Sequence, residues 1–554
     1  MTRTPYLGRA VCSAVISAFA WLSMSGCAAR TAAAPEIPVR IDPVQLPMAE
    51  LRMSDVPLPA ARAALLRLVD SLTQDTTFRM ANWGVLIMDP EVGDTIVSMN
   101  AGKLFMPASN QKLVTGASAL ALLGPDYTWR TPVLLRGRTS GGTFRGDIVL
   151  VGSGDPSWSD AMRNGDALSA FYPIADALAA RGIQRVIGRI VAEGDGFPDS
   201  PLGFGWSHDD LDAGYSAGAD ELMLNENFFR VVVKAGRRVG APVTARTMPT
   251  NSYPRLRISA TTRTARDTVR DAARDAARTS AGDTTRNAAR RGNGIADSLD
   301  VASDSIASAL EIRGSIPLGD SIVISLAYRQ PNDAARAALR EVLTARGVRF
   351  SAGAAAAVSA RVDTLLVLES PTLREVHQRL QKPSQNQIAE ALFKTIAREQ
   401  TGVGTADSAR AVIERQLARW GITTAEAAVR DGSGLSRHDY ISPRAVVRLL
   451  TVMQSHPAFD AFYSALPIAG VDGTIASRMR GTPAAGNLRA KTGFVDKARS
   501  LSGYVNTADG HQLVFAILCN NWVGSVRDVE RVQDAIGAYL ASVRMQDLRI
   551  ALPR

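Results

Sequence analysis

The apolar run Trp83 to Asp89, the polar break Pro90 to Asp94 and the alternating stretch Thr95 to Met99 predict two strands joined as a hairpin. After Pro107 the period changes. Leu113, Val114, Ala117, Leu120, Ala121 and Leu122 recur at helical spacing, so a helix is expected to open at Ser109. Near the far end, Asn487 to Thr492, Leu501 to Thr507 and Gln512 to Cys519 read as three strands, the last two joined by the tight turn Ala508-Asp509-Gly510. Val526, Val529, Ile536 and Leu540 then mark an amphipathic closing helix. Between these ends the pattern predicts strands at Ile183 to Ala192, Asn227 to Lys234, Arg255 to Ala260, Leu310 to Ile316 and Ser321 to Tyr328, and a helix at Asn332 to Arg346. An α/β chain follows: the two ends assemble an antiparallel sheet with helices, and one or two α+β domains are inserted between them.

One stretch interrupts the pattern. From Thr261 to about Ser308 the chain is rich in Ala, Arg, Asp, Thr and Ser, with Arg266, Arg270, Arg274 and Arg278 repeating beside Asp267, Asp271 and Asp275. Val269 is the only large apolar side chain before Ile295, too little apolar surface to offset the entropy of ordering the segment. A disordered or singly helical surface insertion is expected there.

Composition narrows the function classes. At 554 residues and 46% hydrophobic content the chain can bury several cores. Its net charge of +10 is spread over many arginines without dense clusters or interleaved aromatics, so no nucleic-acid partner is expected. The five histidines lack paired metal spacing, His208 reads as part of a solvated loop beside Asp209, Asp210 and Asp212, and no metal or cofactor is implied. Arg3 and Arg9 precede an apolar stretch from Ala10 to Leu22 that is short for a membrane span, which reads as a bacterial secretion signal. Met24-Ser25-Gly26-Cys27 is similar to a lipoprotein processing site, giving lipidation at Cys27 and membrane association through the lipid; cleavage after Ala34 is the competing expectation. Either way the protein is expected in the periplasm or cell envelope. Cys12 would leave with the signal, and Cys519 is expected to be a buried free thiol.

Three motifs carry the chemistry: Ser109-Asn110-Gln111-Lys112, Ser384-Gln385-Asn386 and Lys491-Thr492-Gly493. Arginine supplies nearly all the positive charge, yet two of only seven lysines fall in these motifs. Lysine can be desolvated and act as a base, which arginine cannot. Lys112 lies three residues after Ser109, on the same helical face, so it could take the hydroxyl proton. Ser98-Met99-Asn100 fits the second pattern too, but it precedes the nucleophile and ends a strand, as a chance match would.

With these motifs the chain resembles the DD-carboxypeptidase/DD-endopeptidase family of penicillin-binding proteins, whose members carry a large insertion between the first two motifs. Val151 to Pro156, Leu224 to Asn227, Asp431 to Arg437, Leu466 to Thr474 and Leu501 to Val505 extend the resemblance. It implies a penicillin-recognising fold, cleavage of D-Ala-D-X bonds in peptidoglycan stem peptides through an acyl-serine, and covalent inhibition by β-lactams. By motif, Ser109 resembles the acylated nucleophile, Lys112 its base, Ser384 the relay to the leaving group and Asn386 a substrate-amide ligand. Lys491, Thr492 and Gly493 resemble the carboxylate-binding strand, and the N–H groups of Ser109 and Phe494 the oxyanion hole. The expected division is 1–34 signal, 35–55 linker, 56–135 with 371–554 catalytic, and 136–370 inserted. A β-lactamase, an esterase and a silent wall-binding scaffold remain as rivals. Two decoys occur. Gly214-Tyr215-Ser216-Ala217-Gly218 fits a nucleophile elbow but lacks the buried strand before its serine, and reads as a loop. Glu221 to Asn225 is similar to the deacylating-glutamate motif of one β-lactamase group, but it precedes the Ser-x-Asn motif and is expected in an inserted strand.

Overall fold

The computed structural model describes residues 58–264, 299–304, 309–353 and 361–550. The expected signal, the Cys27 lipidation site, the whole of the linker and most of the low-complexity stretch lie outside the described residues.

A five-stranded antiparallel sheet runs in the order Arg489–Val495, Ala498–Asn506, Gln512–Asn520, Asn82–Asp89, Asp94–Met99. Alternation along each strand sends Val85, Ile87, Leu513, Phe515 and Ile517 to one face, and Leu86, Val514, Ala516 and Leu518 to the other. Helices Ala60–Thr73 and Val526–Ser542 cover the first face with Leu65, Val69, Val529, Ile536 and Leu540. Helices Gln111–Leu122, Asn386–Thr401, Ala406–Arg419 and Pro443–Gln454 cover the second with Leu113, Ile388, Ile413 and Leu450. A sheet buried on both faces explains why Gln512–Asn520 reads as an almost unbroken apolar run. Capping fixes the helix starts: Ser525 and Asp528 form a capping box on the closing helix, and Ser442 caps the helix that Pro443 begins.

The inserted residues share one further core. Its largest sheet has six strands: Arg349–Ser351, Arg185–Ile187, Thr143–Val151, Arg130–Ser140 and Val362–Glu369, with Ile190–Glu193 also on Thr143–Val151. Ser321–Ala327, Phe228–Lys234 and Thr244–Met248 make a three-stranded sheet, and helices Tyr172–Ala180 and Pro331–Ala345 pack into the same core through Ile174, Leu178, Leu339 and Leu343. Residue 135 falls inside the strand Arg130–Ser140.

Several expectations are corrected. The single strand over Ile183 to Ala192 is two, because Gly188 packs so tightly on the Gly146 backbone that a Cβ would overlap its carbonyl oxygen. Leu224–Asn227 is a tight turn, with Asn225, Glu226 and Asn227 all at positive φ, instead of part of a strand. The strand bearing Lys491 begins two residues later than its pattern suggests and runs on through Phe494 to Val495, and its partner starts at Ala498. Polar residues at both starts break the apolar pattern: Arg489 lies over the Tyr463 ring, and Arg499 pairs with Glu530. The edges of the low-complexity stretch join a sheet: Thr261–Arg263 pairs parallel, and Leu299–Asp304 antiparallel, with Ala309–Pro317. Thr262 and Leu299 are buried, and the Thr262 hydroxyl accepts from Gly236 N at 2.7 Å.

Candidate active site

Ser109 lies in a single 3-10 turn, Ala108–Asn110, two residues ahead of Gln111, where the helix Gln111–Leu122 begins, and not at the helix's first position. Ala108 is held at φ 48°, a conformation costly for a residue with a Cβ, so the turn needs outside support. The sheet supplies it. Ser500 Oγ donates to the Pro107 carbonyl at 2.7 Å, and Asn520 brackets Met106 by accepting from its N–H at 2.8 Å and donating to its carbonyl at 3.2 Å. Gly493 lies opposite Ser500, where a Cβ would overlap Ser500 Oγ and the Pro107 oxygen and come within 3.0 Å of Ser109 N. Only glycine lets the strand and the nucleophile turn meet. This places the backbone of Gly493 and Phe494 beside the serine.

The helix projects Lys112 back onto Ser109. Lys112 is fully buried, and its Nζ reaches Ser109 Oγ at 2.8 Å, Asn386 Oδ1 at 2.6 Å and the Ser433 carbonyl at 2.7 Å. Burial brings its pKa down to about 7, although Asp431, Glu390 and Asp439 pull it upward. Asn386 opens its own helix and is committed on both sides, since its Nδ2 donates to the Tyr215 carbonyl at 2.7 Å. Ser384 stands two residues earlier at φ 66°, and Lys491 Nζ donates to its hydroxyl at 2.7 Å and to the Thr492 carbonyl at 2.9 Å. Lys491 is also fully buried and is driven well below the ordinary lysine range by burial, with the Lys112 and Arg499 charges adding to it. Thr492 shares a 2.7 Å hydroxyl contact with Thr474. Phe494 is half exposed, over the Arg499 guanidinium.

The seven residues singled out in the three motifs, with Phe494 next to the third, therefore meet at one site. Sequence reasoning missed others around them. Glu390 accepts from the backbone N–H groups of Gly432 and Ser433, and its spacing of four from Asn386 on one helix was the available signal. Asp431 and Asp439 fall in or beside a quoted motif, but nothing in their pattern marks them as neighbours of Lys112. Glu226, in the Leu224–Asn227 turn, pairs with Arg379 at 3.0 Å and accepts from Gln385 inside the second motif. Ser216 has no such surroundings: its hydroxyl donates to the Asp210 and Ala213 carbonyls. Cys519 is a buried free thiol whose pKa burial raises. Among the described residues no cluster of His, Cys, Asp or Glu is arranged to hold a metal, and no helix is long and apolar enough to cross a membrane.

Residues 65–281 and 287–543 match the D-Ala-D-Ala carboxypeptidase 3 (S13) family. The chain belongs to that family. It is 31% identical to the D-alanyl-D-alanine carboxypeptidase of Actinomadura sp. (strain R39), over 93% of this chain and 91% of the relative. Identity to the D-alanyl-D-alanine carboxypeptidase DacB of Haemophilus influenzae is 22%, over 81% of this chain and 87% of that protein. In fold, this DD-peptidase is similar to the crystal structure of penicillin binding protein 4 from Haemophilus influenzae, with a TM-score of 0.69, 21% identity, and 86% of this chain and 99% of that one covered. The protein is a serine-type D-Ala-D-Ala carboxypeptidase with an α/β fold.

Proposed function

We propose that this DD-peptidase cleaves D-Ala-D-X bonds of peptidoglycan stem peptides with Ser109 as nucleophile and Lys112 as its base. The observation that carries the assignment is the 2.8 Å contact between Lys112 Nζ and Ser109 Oγ, made by a fully buried lysine whose pKa lies at about 7. In the amine form, two N–H bonds to Asn386 Oδ1 and the Ser433 carbonyl leave the nitrogen lone pair for the Ser109 hydroxyl.

Lys112 takes the hydroxyl proton as Ser109 Oγ attacks the penultimate D-Ala carbonyl, and the N–H groups of Ser109 and Phe494 receive the oxyanion. Collapse breaks the C–N bond. The leaving amine collects a proton through the Ser384 hydroxyl, which Lys491 orients from 2.7 Å, and the Lys112 proton replaces it. Water then hydrolyses the acyl-serine by the reverse proton path. Lys491 supplies positive charge, and Thr492 a hydroxyl, for the carboxylate next to the scissile bond; Asn386 lies against the substrate amide. A β-lactam acylates Ser109 by the same step, but its leaving amine stays tethered and blocks water.

The reading extends to location: residues 1–34 act as a secretion signal, Cys27 is the lipidation candidate, and the enzyme works in the periplasm or envelope. Intact-protein mass spectrometry after exposure to benzylpenicillin tests the nucleophile. One covalent adduct on Ser109, absent from Ser109→Ala, is expected; an adduct mapped to Ser216 overturns the assignment.

A further inference from the structure

Lys112 has two acceptors besides Ser109, and each is held from behind. Asn386 is anchored by its bond to the Tyr215 carbonyl. The Ser433 carbonyl belongs to a turn shaped by Asp431, whose Oδ1 accepts from Ser433 N at 3.1 Å and Gly434 N at 2.6 Å. The other oxygen, Oδ2, accepts from Ser436 N at 2.7 Å and from the indole Nε1 of Trp206 at 2.8 Å. Trp206 and Tyr215 stand nine residues apart in one segment of the inserted region. Both supports of the lysine thus end in that segment.

The backbone around Trp206 is shaped for this contact. Gly205 is at φ +73°, where a Cβ would overlap the His438 ring and come within 3.2 Å of Ser436 Oγ. At Gly203 a Cβ would overlap the Trp206 indole itself. Glycine at both positions lets the indole N–H reach a buried carboxyl that lies under the turn holding Lys112.

We propose that Trp206 is a positioning residue for Lys112: through Asp431 it holds the Ser433 carbonyl, while the Tyr215 backbone holds Asn386, so the inserted region keeps the catalytic base in register with Ser109. The inference rests on Lys112 being that base. The charged groups facing Lys112 are Glu390 from the helix after Ser384, Asp431 and Asp439 from the loop, and Lys491 from the sheet. An indole N–H on Asp431 offsets part of the negative charge that draws protons to Lys112. Without it the turn loosens, and the lysine holds its proton to higher pH.

Acylation by a fluorescent penicillin between pH 5 and 9, with a thermal melt of each variant, tests this. Trp206→Phe keeps an aromatic ring and removes the indole N–H. It is expected to slow acylation at pH 7 by about tenfold, as small misplacements of a reacting group do. Its acid limb should move to higher pH while the melting temperature stays within about 2 °C. Asp431→Asn is expected to be slower still, and adding Trp206→Phe to it should cost less than about twofold more, because both changes break one path. A wild-type rate and limb in Trp206→Phe, or an undiminished tenfold loss in the Asp431→Asn background, overturns the proposal. Should Asp431→Asn fail to fold, Gly205→Ala must reproduce the limb shift of Trp206→Phe, and an unmoved limb overturns the proposal equally. Normal acylation by Lys112→Arg would instead remove the reading of the base; an inactive Lys112→Arg beside a normal Trp206→Phe removes only this inference.

Discussion

The site holds two fully buried lysines, and their surroundings have opposite signs. Around Lys112 stand three carboxyl side chains, Glu390, Asp431 and Asp439, whose ionised forms partly offset the penalty of burial, and the amine's pKa lies at about 7. Around Lys491 the named charges are cations, Lys112 and Arg499, and burial pushes it further down. Burying a lysine without an anion is expensive. The difference teaches that the same residue type is prepared for two tasks: on the serine side, protein acids hold a proton carrier at a useful pKa, and on the strand side the countercharge is left for the substrate carboxylate. One lysine handles protons and the other handles charge.

The largest effect should come from removing the titratable amine. Lys112→Arg keeps the positive charge, but the guanidinium does not release its proton in the usable range. Acylation of Ser109 is expected to fall by at least about a hundredfold on every substrate, the usual size of a general-base contribution. The sign of the pH dependence follows from the same property. Lys112 acts when deprotonated, so acylation by the unchanged enzyme should fall as pH drops through about 7, and the residual rate of Lys112→Arg should lose that limb. Stopped-flow acylation against pH measures both; a limb that survives in Lys112→Arg would mean that another group titrates.

The strand side predicts a smaller and selective loss. Lys491→Ala removes the charge meant for the substrate, so kcat/KM on a diacyl-Lys-D-Ala-D-Ala peptide should fall by on the order of a hundredfold. A neutral thioester without the carboxylate should lose far less. Equal losses on both would collapse the comparison, since Lys491 would then serve the Ser384 proton path instead of the carboxylate.

What the sequence made legible follows the same divide. Val85 and Ile87 alternate with Leu86 because a sheet face demands it, and Ser109, Lys112, Ser384 and Lys491 stand in short motifs whose spacing is local. The five-stranded sheet and the seven motif residues could therefore be placed, apart from the ends of the strands at Arg489 and Ala498, where polar residues mask the period. The acids around Lys112 come from a helix and a distant loop, and the Trp206 contact with Asp431 joins positions 225 residues apart. No periodicity reports such a meeting. Leu224–Asn227 escapes the pattern for a further reason: three consecutive positive φ values are a backbone choice that apolar periodicity does not report, and apolar residues just before it imitate a strand.

The smallest expected effect sharpens the comparison most, because it separates charge from shape on the Lys112 side. Burial, helped by the neighbouring Asp431, pushes the Glu390 carboxyl up to about 8, so near pH 7 it is mostly neutral while accepting from Gly432 N and Ser433 N. Glutamine has nearly the same shape, accepts the same two bonds and stays neutral at every pH. Glu390→Gln should therefore acylate at pH 7 within about threefold of the unchanged enzyme, well below the hundredfold typical of a residue that itself moves the proton. Above pH 8 the two should part. In the unchanged enzyme, ionised Glu390 adds a negative charge beside Lys112 and draws a proton toward it, whereas in Glu390→Gln that restraint is gone and acylation should level off sooner with rising pH. A loss of a hundredfold already at pH 7 would mean that Glu390 carries a charge the base depends on, and the account of Lys112 as an amine poised by partly neutral acids would have to be replaced by one in which a buried ion pair holds it.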